Sequence, residues 1–266
     1  MDEPLSRICG VRLTEIDLSQ PLAPADKAAI EAAFLAHHVV VFPGQLLSRE
    51  AQFAFAANFG EVEAHGAHRR GAANKRYAVA HVMSNLGPDG KPAARFSRAA
   101  NYHWHTDKPY HQAPPLMTML YAVELPALGG DTEFANMVQA YAALPPAMRQ
   151  RIAPLRVAFR PAFDDSRVGS EHPLVRTDPD SGRQSLYIGN HSTGIVGWPP
   201  DAGNALLAEL LEHATQPRFV YTHRWRLGDL VMWDNRCLLH RAVLNYDTAR
   251  DRRVMHRSVV KGPVPV

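Results

Sequence analysis

Cysteine is nearly absent: the chain of 266 residues has only Cys9 and Cys237, far apart, which do not suggest a disulfide framework. Free thiols in a reducing cytosol are expected. No apolar run approaches the length of a membrane span. The amino terminus, Met1-Asp2-Glu3-Pro4, is acidic and lacks the basic-then-apolar order of a signal peptide, so a cytoplasmic protein is expected. Basic residues form no stripe, and the net charge is only +3. The densest early cluster, Arg69-Arg70 with Lys75-Arg76, reads as a solvated loop, which leaves nucleic-acid binding unsupported. There is no internal repeat and no low-complexity tract. What is present is ordinary for a globular protein, with 46% hydrophobic and 21% charged residues. The length suits a single domain over 1–266 with ample core.

The elements read as many short strands with few helices. Val11 to Leu18 alternates apolar and polar residues, a half-buried strand. Pro24 to His38 is a helix with Ile30, Phe34 and Leu35 on one stripe, and Val39-Val40-Val41-Phe42 is a buried strand closed by Pro43-Gly44. Ser48 caps a helix in which Phe53, Ala56 and Phe59 face inward, with Gly60 as its stop. The region around 61–100 is irregular apart from a strand expected over Tyr77 to Met83, and it reads as a lid-like loop. Strands follow at Leu116 to Leu125, at Thr132 through Phe134 and at Leu155 to Phe159. The segments His172 to Arg176 and Gln184 to Ile188 flank Asp178-Pro179-Asp180-Ser181-Gly182 as a hairpin. Leu206 to His213 is an amphipathic helix. Phe219 to Trp225, Leu230 to Trp233 and Arg253 to Val260 complete the strands. The pattern is mainly β with flanking helices, a sandwich or jelly roll rather than a parallel α/β sheet.

Two stretches carry the chemistry: Tyr102-His103-Trp104-His105-Thr106-Asp107 and Trp233-Asp234-Asn235-Arg236-Cys237-Leu238-Leu239-His240. Read as a strand, the first points His105 and Asp107 the same way. His240 is the best placed third ligand. Two imidazoles and one carboxylate on one face of a metal leave the opposite face open, the arrangement of non-haem Fe(II) oxygenases. His103 shares that strand face and is an alternative to His105 as ligand, an outer-shell or lid residue, or a surface histidine. Asp234-Asn235-Arg236 reads as a pin for the turn that presents His240, and Trp104 and Trp233 as packing beside it.

The order of His105, Asp107, Thr132 behind Gly-Gly-Asp, His240 behind Trp-Asp-Asn-Arg, then Arg253 and Arg257, resembles the taurine dioxygenase and dichlorophenoxyacetate dioxygenase family. The resemblance covers essentially the whole chain, and Leu206 to His240 looks closest to the herbicide-degrading branch. It implies a double-stranded β-helix, or cupin-like jelly roll, with Fe(II) held by His105, Asp107 and His240. It also implies 2-oxoglutarate and O2 as cosubstrates, with Thr132 and Arg253 on the distal carboxylate. A planar guanidinium fork suits a carboxylate better than an ammonium does. Arg257 would meet the anionic end of the primary substrate or support the cosubstrate, while Asn101 and His65 match positions near the substrate. His68 and Lys108 depart from the taurine-acting members and are further candidates for substrate contact.

The implied reaction is hydroxylation of a small anion, an aryloxyalkanoate or an alkyl sulfonate or sulfate, with release of succinate and CO2. The family further implies a homo-oligomer, a dimer or tetramer. Two other readings use the same residues. A zinc hydrolase takes the same three ligand types with an activated water, and a jelly roll can also serve as a binding module without catalysis. Hydrolysis calls for neither Thr132, Arg253 nor Arg257 at these places.

Overall fold

The computed structural model describes residues 3–63, 65–66, 76–77, 79–93, 99–161 and 169–266. Its large sheet runs in the order Glu3–Pro4, Val11–Arg12, Val39–Phe42, Leu230–Asp234, Pro115–Glu124, Val254–Lys261 and His81–Ser84. A second sheet places Thr132–Asn136 between Val220–His223 and Leu238–Ala242, antiparallel to both.

Strand parity explains how the layers close. Successive side chains of a strand face opposite ways, and Val39–Phe42 uses both faces. Val39 and Val41 join Val231, Trp233, Phe134 and Leu238 in the core between the two sheets. Val40 and Phe42 join Ile30, Phe34, Phe55 and Met119 under the helices Pro24–His37 and Arg49–Ala56. This is why the run is apolar throughout: all four residues are buried. The second sheet repeats the device, with Phe134 and Leu238 inward and Ala135 and Leu239 packed outward on the helix Pro200–Ala214 and its neighbours. Phe42 and Phe134, both at 0% exposure, each contribute about 1.5–3 kcal/mol by this burial. The result is the jelly-roll sandwich, mainly β with flanking helices.

Several expected elements have different limits. Only Val11–Arg12 of the Val11 to Leu18 segment is strand, parallel to Val39–Phe42. Beyond Leu13 the Gln45 side chain replaces the ladder, accepting from Leu18 N at 2.9 Å and donating to Ile16 O at 3.1 Å. Within Tyr77 to Met83, Arg76–Tyr77 pairs with His65–Gly66, and His81–Ser84 forms the edge of the large sheet. Ser48 caps its helix by accepting from Ala51 N at 3.0 Å; Ala56 is buried as expected, together with Gln52 and Phe55, while Phe53 and Phe59 pack half-buried against the same core. The last helix begins at Pro200 rather than Leu206, since proline is tolerated in a first turn. Val220–His223 and Leu230–Asp234 join different sheets. Among the described residues no helix is long and apolar enough to cross a membrane.

Candidate metal centre and its cavity

Tyr102–Asp107 is not a strand. A single 3₁₀ turn covers Ala99–Tyr102, and His105 alone makes an antiparallel bridge, to His240. The neighbouring bonds go elsewhere: Trp104 O accepts from Asn190 N at 3.0 Å, and Thr106 Oγ1 donates to Asn235 O at 2.8 Å. That one bridge brings the two histidines together, and alternation along a strand does not account for the shared direction of His105 and Asp107. Residues directly opposite in an antiparallel pair share a face, which brings the His105 and His240 ring centroids to 4.1 Å. Asp107 closes the group, with Oδ1 4.0 Å from His240 Nε2. One donor atom from each of His105, Asp107 and His240 lies within 4.8 Å of the others. His103 is exposed, and its contribution is a carbonyl that accepts from His105 Nδ1 at 2.8 Å. That bond leaves His105 Nε2 with its lone pair.

Burial pushes the His105 and His240 imidazoles below the ordinary histidine range. Burial alone would raise Asp107, but the Arg257 guanidinium, the two histidines and the Thr118 hydroxyl hold its carboxyl far below the usual range. Arg257 Nη2 lies 2.6 Å from Asp107 Oδ2. Two neutral imidazoles and an ionised carboxylate are a fitting donor set for a divalent transition metal.

His105, Asp107, His240, Thr132, Arg253 and Arg257 line one cavity of about 80 Å³, with Met83, Leu120 and Trp233 as apolar wall. A pocket of about 50 Å³ shares Met83, Asn101, Ala242 and Arg253 with it and adds Tyr102 and Tyr246. Arg253 stands one residue ahead of its strand, where the register shifts between Val254 and Met255. Asn85 Oδ1 accepts from Arg253 N at 2.8 Å. Among the described residues the fork donates to Gly130 O, at 3.3 and 3.2 Å. Among the described residues no carboxylate lies within 4 Å of it. Burial lowers the Arg253 pKa, partly offset by Tyr246, Tyr102 and Asp131. The glycines before Thr132 are required: Gly129 has φ +80, and a Cβ there would meet Asn245 O at 2.3 Å. Trp225 Nε1 donates to Thr132 Oγ1 at 3.0 Å. An indole nitrogen cannot accept, so the Thr132 hydroxyl proton is left for an acceptor in the cavity.

The other expected site residues divide. Asn101 lines both cavities. His65 lies in the short strand His65–Gly66. His68 lies outside the described residues, as do Arg69, Arg70, Lys75 and Arg95. Lys108, with φ 47, ion-pairs with Glu63 and lines neither cavity. Its charge is already matched there. Arg252 ion-pairs with Glu124 at the surface. A second cluster joins His38, Asp234 and Cys237. Both Asp234 oxygens accept from Arg236 at 2.8–3.2 Å, and Arg236 reaches on to Asp178 and Asp180, so this cluster is the pin of the turn before His240.

Sequence reasoning missed Thr118, Trp225 and Asn85. For Thr118 a signal existed, a lone threonine in the apolar run Leu116 to Val123. Trp225 and Asn85 carried none.

The family described as "Taurine catabolism dioxygenase TauD, TfdA family" matches residues 2–259. The chain is 39% identical over 282 residues to an alpha-ketoglutarate-dependent 2,4-dichlorophenoxyacetate dioxygenase of Cupriavidus pinatubonensis, covering 98% of each. It is 31% identical over 285 residues to an alpha-ketoglutarate-dependent sulfate ester dioxygenase of Pseudomonas putida, covering 99% of this chain and 90% of the relative. The crystal structure of AAD-2 with Mn(II) and N-oxalylglycine superposes with a TM-score of 0.86 at 34% identity, covering 99% of this chain and 100% of that one.

Proposed function

The chain belongs to the TauD/TfdA family of alpha-ketoglutarate-dependent dioxygenases, and starting from that membership we propose a role for each group in its cavity. His105, Asp107 and His240 hold ferrous iron. Arg253 and Thr132 hold the distal carboxylate of 2-oxoglutarate. Arg257 meets a small anionic substrate, and Asn101, with His65 and His68, discriminates among such anions. The observation that carries this reading is Arg253: a half-buried guanidinium with no carboxylate within 4 Å among the described residues, lining the same cavity as the His–Asp–His cluster. A charge drawn partly out of water favours a counter-charge, and a carboxylate ligand supplies it with matching geometry.

When bound, ferrous iron and the 2-oxo acid supply the oxidative power, delivering one oxygen atom of O2 to succinate and the other to a C–H bond of the substrate. The chain supplies position and dryness. The burial that keeps both imidazoles neutral keeps their lone pairs available, and Met83, Leu120 and Trp233 exclude water from the reacting carbon. Arg257 fixes the distance from the substrate's anionic end to that carbon. The relatives act on an aryloxyacetate and on sulfate esters, and we extend that class, aryloxyalkanoates and alkyl sulfonates or sulfates, to this chain. When the hydroxylated carbon bears the ether or ester oxygen, or the sulfur, the product collapses to a carbonyl compound and a leaving group.

The test is a screen of these anions for substrate-dependent succinate release with Fe(II), 2-oxoglutarate and O2. Alongside it, visible absorption is followed on adding 2-oxoglutarate anaerobically to the Fe(II)-loaded protein. Succinate coupled to one class is expected. An unchanged spectrum and no coupled succinate with any anion would refute the assignment.

A further inference from the structure

Behind Asp107 runs a buried polar chain whose protons have one consistent order. Trp233 Nε1 lies 3.2 Å from Asn235 Oδ1, Asn235 Nδ2 lies 3.0 Å from Thr118 Oγ1, and Thr118 Oγ1 lies 2.5 Å from Asp107 Oδ2. An indole N–H only donates, so the atom facing it must be the amide oxygen of Asn235. The Asn235 nitrogen then faces Thr118 and donates. An ionised carboxylate only accepts, so the Thr118 proton goes to Asp107. Both ends force the same direction.

The chain is rigid as well as directed. Trp233 and Thr118 are directly paired across neighbouring strands. Asn235 N donates to Leu116 O at 3.0 Å, and Thr106 Oγ1 donates to Asn235 O. Trp233, Asn235 and Thr118 are at most 1% exposed, so water does not compete for these bonds. The consequence falls on Asp107. Its Oδ2 takes the Thr118 proton and faces Arg257, while Oδ1 faces His240 Nε2.

We propose that Trp233, Asn235 and Thr118 are positioning residues that tie Oδ2 of Asp107 to the protein and present Oδ1 to the metal. Metal affinity then depends on three side chains, none of which is a proposed ligand. The proposal rests on the assignment of His105, Asp107 and His240 as ligands. Partners of this kind typically change metal affinity by about 10–100-fold when lost.

The experiment titrates the full metal-free chain with Mn(II), reading free Mn(II) by electron paramagnetic resonance, with thermal melts as fold controls. Thr118→Val keeps the shape and removes the hydroxyl; its Mn(II) affinity should fall by about 10–100-fold. Thr118→Ser should recover most of that loss. Asn235→Asp offers two acceptors where the chain needs a donor, and so turns the Thr118 proton away from Asp107; it should match Thr118→Val. Trp233→Phe keeps the ring and frees the amide to flip, with a smaller loss in the same direction. A folded Thr118→Val with the parent's affinity would overturn the proposal. Should that variant fail to fold, parent-like affinity in Asn235→Asp would do so. Absence of Mn(II) binding by the parent chain would overturn the ligand assignment and this proposal together, whereas parent binding with unaltered variants would overturn the proposal alone.

Discussion

His105 and His240 exchange both of their backbone hydrogen bonds, N···O 3.1 Å one way and 2.7 Å the other. The backbones of the two proposed imidazole ligands are therefore placed by main-chain pairing, and the His105 ring is further held by His103 O. Removing either ring leaves that pairing intact. His105→Ala and His240→Ala should each abolish substrate-dependent succinate formation and Mn(II) binding while the metal-free melting temperature changes by only a few degrees. Turnover equal to the parent's in both variants would refute the ligand assignment.

Arg253 tests the cosubstrate end of the cavity. Arg253→Met removes the fork and leaves a buried carboxylate without its charged partner, so the KM for 2-oxoglutarate should rise by about 10–100-fold. The KM for the primary substrate should move much less. Trp225→Phe should shift the same constant in the same direction by a smaller factor, because it frees Thr132 to turn its proton away from the cosubstrate. Steady-state kinetics with each substrate varied separately separate these outcomes. An unaltered 2-oxoglutarate KM in Arg253→Met would remove that residue from the site.

The three proposed ligands could be named from the sequence because their chemistry is legible: His-x-Asp followed far downstream by histidine is a donor set before it is a fold. The local structure that delivers them was not. Alternation along a strand predicts the shared direction of His105 and Asp107, yet the segment is a bridge flanked by bonds to Asn190 and Asn235. Those partners lie more than eighty residues away, and no local pattern announces them. The apolar run Val39–Phe42 announced a buried strand, and its two-sided burial explains why. Lys108 shows what the sequence leaves out: a cation next to a proposed ligand reads as a substrate contact, and only the fold shows that it also pairs with Glu63.

Arg236 shows how the turn before His240 is held. It is 4% exposed and contacts the carboxylates of Asp234, Asp178 and Asp180, tying the 178–182 turn to Trp233-Asp234-Asn235-Arg236. Removing one partner of a buried ion pair leaves an uncompensated charge and costs about 3–5 kcal/mol. Arg236→Met should therefore lower the melting temperature by roughly 6–15 °C, with metal affinity falling as the His240 turn loosens. A melting temperature within error of the parent's would show that this cluster carries no stability.

Burial also predicts the response to acid. His38, His105, His172 and His240 are all pushed below the ordinary histidine range by desolvation. A lowered folded-state value means that, below about pH 6.5, the unfolded chain takes up protons that the folded chain refuses. Stability is therefore full above that pH and falls as pH drops below it, by up to about 1.4 kcal/mol per histidine for each pH unit. Asp107 adds nothing in this window, because its depressed value costs stability only below the ordinary carboxylate range near pH 3.9. The metal-free melting temperature should thus hold from pH 8 to about 6.5 and decline steadily toward pH 5. Mn(II) should steepen the decline, since metal and protons compete for His105 and His240. Melts across this range, with chelator and with Mn(II), decide it: a flat metal-free curve would mean that these buried histidines accept protons as readily folded as unfolded.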